Sequence, residues 1–159
     1  MAFSRPSYEI RQAIEEILFK AAAFLDEKRF IEWADLFADD AQYEMLVKSK
    51  ELRDIDDYVM QFNKEELVSR MKLLPNYVID TAKRLHAVSN IRIEVDENNA
   101  VSMSRFTVYR TLEDGTTSLY AVGSNQDTLV QRAGQWLFLK RRVVLDTRKL
   151  EAHTHMPLQ

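Results

Sequence analysis

From Arg84 to Asp146 the chain runs through long stretches in which apolar and polar residues alternate, separated by short polar turns. No other feature constrains the fold as much. A period of two belongs to strands with two different faces, and turns this brief join each strand to the next as a hairpin. The runs cover residues 84–95, 101–112, 118–131 and 134–146, with Asp96-Glu97-Asn98-Asn99, Asp114-Gly115 and Ala133-Gly134 at the turns. In the first run Leu85, Ala87, Ser89, Ile91, Ile93 and Val95 fall on one face, and His86, Val88, Asn90, Arg92 and Glu94 on the other. Four such strands form a meander, and a twisted sheet of that length must curl around something apolar.

The first part of the chain offers the filling. Ile10, Ala13, Ile14, Ile17, Leu18, Ala21 and Phe24 recur at spacings of three and four, one face of a helix that Ser7 can cap. A second short helix carries Phe30, Trp33, Ala34 and Phe37 inward, and Asp39-Asp40 is expected to end it before a strand over residues 42–47. Asn63 followed by Glu65 and Glu66 reads as a helix cap with an acidic first turn, leading a helix through Met71 that Pro75 should stop. Residues 48–61 give no clear pattern. The expected architecture is α+β: a cone of curved antiparallel sheet with amino-terminal helices packed into it, in a single domain over residues 1–159.

Composition narrows the function classes. The chain has 159 residues, 46% hydrophobic and 30% charged, enough for one real core. A formal charge of −3, with no long basic block, argues against a nucleic-acid partner. There is no cysteine, so this chain supplies neither disulfides nor thiolate ligands for an iron–sulfur cluster, and any redox cofactor belongs to a partner. No stretch reaches the roughly 20 apolar residues needed to span a bilayer, and residues 1–6 lack the apolar core of a secretion signal. The expectation is a soluble cytoplasmic protein without a membrane partner.

Four blocks, in order, carry a family resemblance. Residues 24–43 (FLDEKRFIEWADLFADDAQY) resemble the opening of the small, or β, subunits of bacterial aromatic-ring-hydroxylating dioxygenases. Residues 84–93 (RLHAVSNIRI) are similar to that family's first long strand, residues 123–136 (GSNQDTLVQRAGQW) to its hairpin, and residues 140–146 (KRRVVLD) to its closing strand. One departure is Tyr120-Ala121-Val122 before Gly123, where the family often has a glycine or an arginine-rich entry. The resemblance implies a cone related to nuclear transport factor 2 and the cystatins, shared with scytalone dehydratase and ketosteroid isomerase. It also implies a large α subunit bearing a Rieske 2Fe–2S cluster and a mononuclear Fe(II). The small subunits trimerise as the stem of an α3β3 hexamer, usually in a structural role. The family pattern carries no catalytic, cofactor-binding or metal residue onto this chain. The short amino-terminal arm is more like members acting on aromatic carboxylates than those acting on bulky hydrocarbons.

Each possible site has a functional and a plain reading. His86, with Asn90 and Arg92 on its face and Tyr43 or Asp35 across the cone, has the residue types of a dehydratase or isomerase acid/base pair; a histidine hydrogen-bonded at the mouth of the sheet is the plain reading. Asp127 with Asn125 and Arg105 would line a pocket as in an epoxide-hydrolase-like cone, or make a cross-strand structural pair. Asp35, Asp39 and Asp40 offer carboxylates for a metal or base, yet such spacing is ordinary at a helix end. His153-Thr154-His155, with Glu151 and Asp146 nearby, has chelating spacing, or else forms a polar tail that docks through Met156, Pro157 and Leu158. Within Lys140-Arg141-Arg142, alternation sends Arg141 and Arg142 to opposite faces, one to a partner or an acid.

The leading expectation is therefore a non-catalytic small subunit of a dioxygenase that dihydroxylates an aromatic compound. The rival is a free-standing dehydratase, isomerase or epoxide hydrolase of the same fold, using His86, Asp127 and Tyr43. A ligand-binding or interaction module without turnover is the third.

Overall fold

The computed structural model describes residues 4–49, 55–77, 80–150 and 157. Its elements are α1 (Tyr8–Asp26), α2 (Phe30–Asp35), β1 (Phe37–Ser49), β2 (Ile55–Asn63), α3 (Lys64–Tyr77), β3 (Lys83–Asp96), β4 (Asn99–Thr111), β5 (Thr117–Arg132) and β6 (Gln135–Leu145). The strands form one six-stranded sheet in the order β2-β1-β6-β5-β4-β3. The meander from β3 to β6 is antiparallel throughout, as the turns require. The sheet as a whole is mixed, because β1 runs parallel to β6 after the chain has crossed through α3 and the meander.

Helix α1 buries Ile14, Ile17, Leu18, Ala21 and Leu25. The Ser7 hydroxyl accepts the Ile10 N–H at 3.3 Å, capping a donor that the first helical turn leaves free. At α3 the Asn63 side chain accepts from the Glu66 N–H and the Glu66 carboxylate accepts from the Asn63 N–H, both at 2.9 Å. This reciprocal box starts the helix where the sequence indicates.

Four local expectations are corrected. Helix α2 ends at Asp35, and Asp39 and Asp40 lie inside β1. Asp40 is held there by a fork of hydrogen bonds from Arg132 at 2.8 and 2.9 Å, so it serves the sheet rather than a turn. The unpatterned residues 48–61 contain most of β2, whose register on β1 breaks between Met45 and Leu46. Pro75 does not stop α3, which continues to Tyr77; in the last turn the missing proline N–H costs a single hydrogen bond.

The fourth correction concerns β3. Its strict alternation breaks at Asn90, which has φ 53° and sits where the pairing with β4 shifts register between Ser89 and Arg92. One extra residue in a strand reverses its faces. Arg84 and His86 are therefore buried before the bulge, while Ile93 and Val95 are buried after it, and Leu85, Ala87 and Ser89 face out.

The β3 edge of the sheet is bonded at three points, Val95, Ile91 and His86. Ser4 bridges Val95 with two hydrogen bonds of 2.9 Å, Arg11 donates to the Ile91 carbonyl at 3.4 Å, and Asp26 accepts the His86 N–H at 3.0 and 3.2 Å. Groups left open on an edge strand would template pairing with another chain. The core between helices and sheet centres on Trp33, Phe37, Tyr43 and Phe138, whose rings meet edge-on or tilted at centroid distances from 4.9 to 6.2 Å.

Candidate functional site

Two groups of buried polar side chains occupy the inner face of the sheet. The first is a row across four strands. Register places Tyr43 of β1 beside Arg141 of β6, Arg141 beside Asp127 of β5, and Asp127 beside Ser102 of β4. Arg141 and Asp127 form a two-pronged ion pair, Nε to Oδ1 at 2.9 Å and Nη2 to Oδ2 at 3.0 Å, with both side chains wholly buried. The guanidinium lies over the Phe138 ring at 4.1 Å. One residue pair along, Asn125 donates to Ser104 at 3.3 Å. Complete burial pushes the Asp127 carboxyl above its ordinary value, against the opposing pull of Arg141.

The second group lies at the other end of the strands. His86 Nδ1 is 2.5 Å from Asp26 Oδ1, so one carboxylate holds both the ring and the backbone N–H of His86. The imidazole is buried, and its Nε2 meets no hydrogen-bond partner among the described residues. Beside it, Asp80 accepts from Arg110 at 3.0 Å, from the Ala82 N–H at 3.2 Å and from Arg84 at 3.5 Å, while its carbonyl takes Lys28. Arg84 covers the Tyr120 ring at 4.6 Å, and burial pushes the Tyr120 phenol up.

The candidate residues are thus divided. Tyr43 and Asp127 share a row with Arg141 between them, and the Tyr43 ring packs edge-on against Trp33. His86 pairs with Val108, which pairs with Ala121, six residues along β5 from Asp127 and therefore about 20 Å away. The three do not converge. Asp127 and Asn125 point inward as the alternation indicates, but Arg105 faces out and binds Asp146. The partner of Asp127 is Arg141, one of the two arginines of which the sequence sends one, unspecified, to a partner or an acid. The missed signal lies in the hairpin: counting outward from Ala133-Gly134 sets Asp127 opposite Lys140, and a register shift between Thr128 and Leu129 moves it to Arg141. Asp26, the orienting group for His86, was missed because only the packing of α1 on β3 brings it near.

Asp35 and Asp39 lie near Lys64, whose amine donates to the Ala34 and Phe37 carbonyls at 2.5 and 2.8 Å. Burial pushes the Lys64 amine down, and the two aspartates pull it back up. The His153 and His155 pair, with Glu151, falls outside the described residues. Among the described residues no three histidine, cysteine or acidic groups gather as metal ligands. A Rieske cluster needs two thiolates and two imidazoles, which this cysteine-free chain does not offer. Open clefts on the surface include one of about 450 Å³ along α1 over Phe19, one of about 310 Å³ between α1 and the β5–β6 turn, and one of about 300 Å³ on the outer face over Met103 and Arg142. Asp127 is among the residues lining the third of these, and none of the three is lined by His86 or Tyr43. No helix among the described residues is long and apolar enough to cross a membrane.

Comparison with known proteins bears out the resemblance read in the sequence. The chain is 28% identical over 156 residues to the β subunit of the methanesulfonate monooxygenase hydroxylase of Methylosulfonomonas methylovora, covering 92% of this chain and 86% of that one. It is 24% identical over 147 residues to the β subunit of 2-aminobenzenesulfonate 2,3-dioxygenase of an Alcaligenes species, covering 92% and 97%. Its fold matches the β subunit assigned to an aromatic-ring-hydroxylating dioxygenase of Novosphingobium aromaticivorans with a TM-score of 0.82 at 22% identity, over 92% of this chain and 95% of that one. The model of the SnoaL-like domain matches residues 6–142, which takes in both polar groups, and the chain belongs to the SnoaL-like domain family.

Proposed function

We propose that this chain is the non-catalytic β subunit of a ring-hydroxylating oxygenase. In this reading a large α subunit holds the Rieske cluster and the mononuclear iron, and α3β3 is the assembled form. The observation that carries it is similarity along 92% of the chain to the β subunits of two oxygenases, a methanesulfonate monooxygenase hydroxylase and the ring-acting 2-aminobenzenesulfonate 2,3-dioxygenase. The interior supports the same reading. Where a pocket enzyme of this fold needs an apolar cavity lined by convergent acid and base groups, Tyr43, Asp127 and Arg141 are packed against one another and His86 lies about 20 Å off.

The substrate of the assembled enzyme is proposed to be an aromatic compound bearing an acid group, a carboxylate or a sulfonate; both curated relatives above are named for sulfonates. The α subunit performs the chemistry and this chain sets the geometry of the stem.

The test is co-expression with a Rieske-type large subunit from the same organism. The expected result is a hexamer whose iron content resides wholly in the large subunit, and which loses its assembly, with the cluster intact, when this chain is deleted. Unchanged assembly without this chain, or turnover of an aromatic acid by this chain alone without iron, would overturn the reading.

A further inference from the structure

The polar group around His86 holds more positive charge than its own carboxylates balance. Three cations, Lys28, Arg84 and Arg110, gather on Asp80, and the one further carboxylate is Asp26, which holds His86. The Arg84, Asp80 and His86 side chains are buried, and Arg110 is 16% exposed. The Tyr120 phenol among them feels Arg84, Arg110 and Asp80. The other charges at this end of the sheet, Lys83, Glu113, Asp114, Arg148 and Lys149, are exposed to solvent. With His86 neutral, three positive charges stand against two negative ones among the described residues. A buried charge is costly unless the opposite sign meets it.

Two atoms fix the chemistry of an occupant. The Asp26 carboxylate accepts both the backbone N–H of His86 and the hydrogen on its Nδ1, so Nε2 presents a lone pair, and that atom meets no hydrogen-bond partner among the described residues. Arg110 gives Nη2 to Asp80, while its Nε–H, also buried, meets none. Arg84 pairs with Arg110 and His86 with Val108, which makes Arg110 and His86 diagonal neighbours across β3 and β4, about 7–8 Å apart. A lone pair takes a hydroxyl hydrogen, and a cationic N–H beside surplus positive charge takes an anionic oxygen. A hydroxy acid offers both within a few bonds. The clefts along α1 and over Met103 are not lined by His86, and an interior packed at ordinary density admits only a few heavy atoms there. We propose that His86 and Arg110 bind a small hydroxy acid, whose hydroxyl donates to His86 Nε2 and whose carboxylate accepts from Arg110 Nε.

The proposal does not require the oxygenase reading and is tested on the full chain alone, with glycolate as the probe. Calorimetry is expected to show glycolate binding at least about 10-fold more tightly than acetate, which has the carboxylate but leaves Nε2 unpaired. Proton–nitrogen correlation spectra of the imidazole should show the His86 Nε2 resonance moving as glycolate is added and staying in place with acetate. His86→Phe should bring glycolate down to the acetate value, and Arg110→Met should weaken both acids about 10-fold or more. Far-UV circular dichroism checks that each variant folds; where one does not, the glycolate-to-acetate ratio and the Nε2 resonance of the wild type decide the matter. Equal affinity for the two acids, an Nε2 resonance unmoved at about 50 mM glycolate, or glycolate binding unaltered in both folded variants overturns the proposal. None of these results bears on assembly with a large subunit, so the proposed function stands or falls separately.

Discussion

Arg141 and Asp127 show how much a single buried pair can hold. Each is stranded if the other is removed, because a lone ion in a dry interior keeps its desolvation cost and loses its compensation. Arg141→Met should therefore cost about 3–5 kcal/mol in urea denaturation at neutral pH, while the double change Asp127→Leu with Arg141→Met should recover most of it. The pH dependence has a definite sign. Asp127 is pushed above its ordinary value by burial, so its contribution is favourable when protonated and is lost as pH rises through the raised value. Without Arg141 the push is unopposed, and the deficit of Arg141→Met should shrink as pH falls from 7 towards 5; a deficit constant across that range would show that the carboxyl does not titrate there. Asp26 is the other residue with several dependents. Asp26→Ala leaves both the His86 N–H and the ring without their acceptor, an expected loss of about 1–3 kcal/mol measured by thermal or chemical unfolding.

At the scale of elements, caps and turns were legible where a side chain makes its own local hydrogen bond. Ser7 and the Asn63–Glu66 box stand where the sequence places them, and Asn63→Ala is expected to lower stability by about 1 kcal/mol through loss of the α3 cap, read as a drop in Tm. Strands were legible when one face was buried and the other wet. β2 was not: its Asp56 serves Arg142 on the neighbouring outer face, and Tyr58 and Val59 are each 44% exposed, so no apolar period marks the segment. β3 was read as a strand but with one phase throughout. Nothing in the residue types around Asn90 announces a bulge, although asparagine tolerates positive φ better than most residues. Asn90→Gly should be nearly neutral, whereas Asn90→Val should cost about 1–3 kcal/mol and broaden the unfolding transition. The site followed the same rule. Asp127 and Asn125 were legible from alternation alone, but Arg141 and Asp26 depend on a shifted hairpin register and on the docking of α1, which no local pattern encodes.

For the whole molecule, the sheet's two ends are treated differently. β3 takes edge hydrogen bonds from Ser4, Arg11 and Asp26, whereas β2 lies at the far end beyond β1. The seam between the halves is the parallel pairing of β1 with β6, in which Val47 meets Leu145 about a hundred residues later in the chain. During synthesis at about 5–20 residues per second, β1 and β2 leave the ribosome many seconds before their neighbour exists. Met45 and Tyr43, wholly buried in the finished sheet, have no mate on that side until β6 has been made. β6 is thus the strand that joins the two halves, so a ribosome stalled before residue 135 should present a sticky, protease-sensitive nascent chain, and a chain released with β6 in place a resistant one.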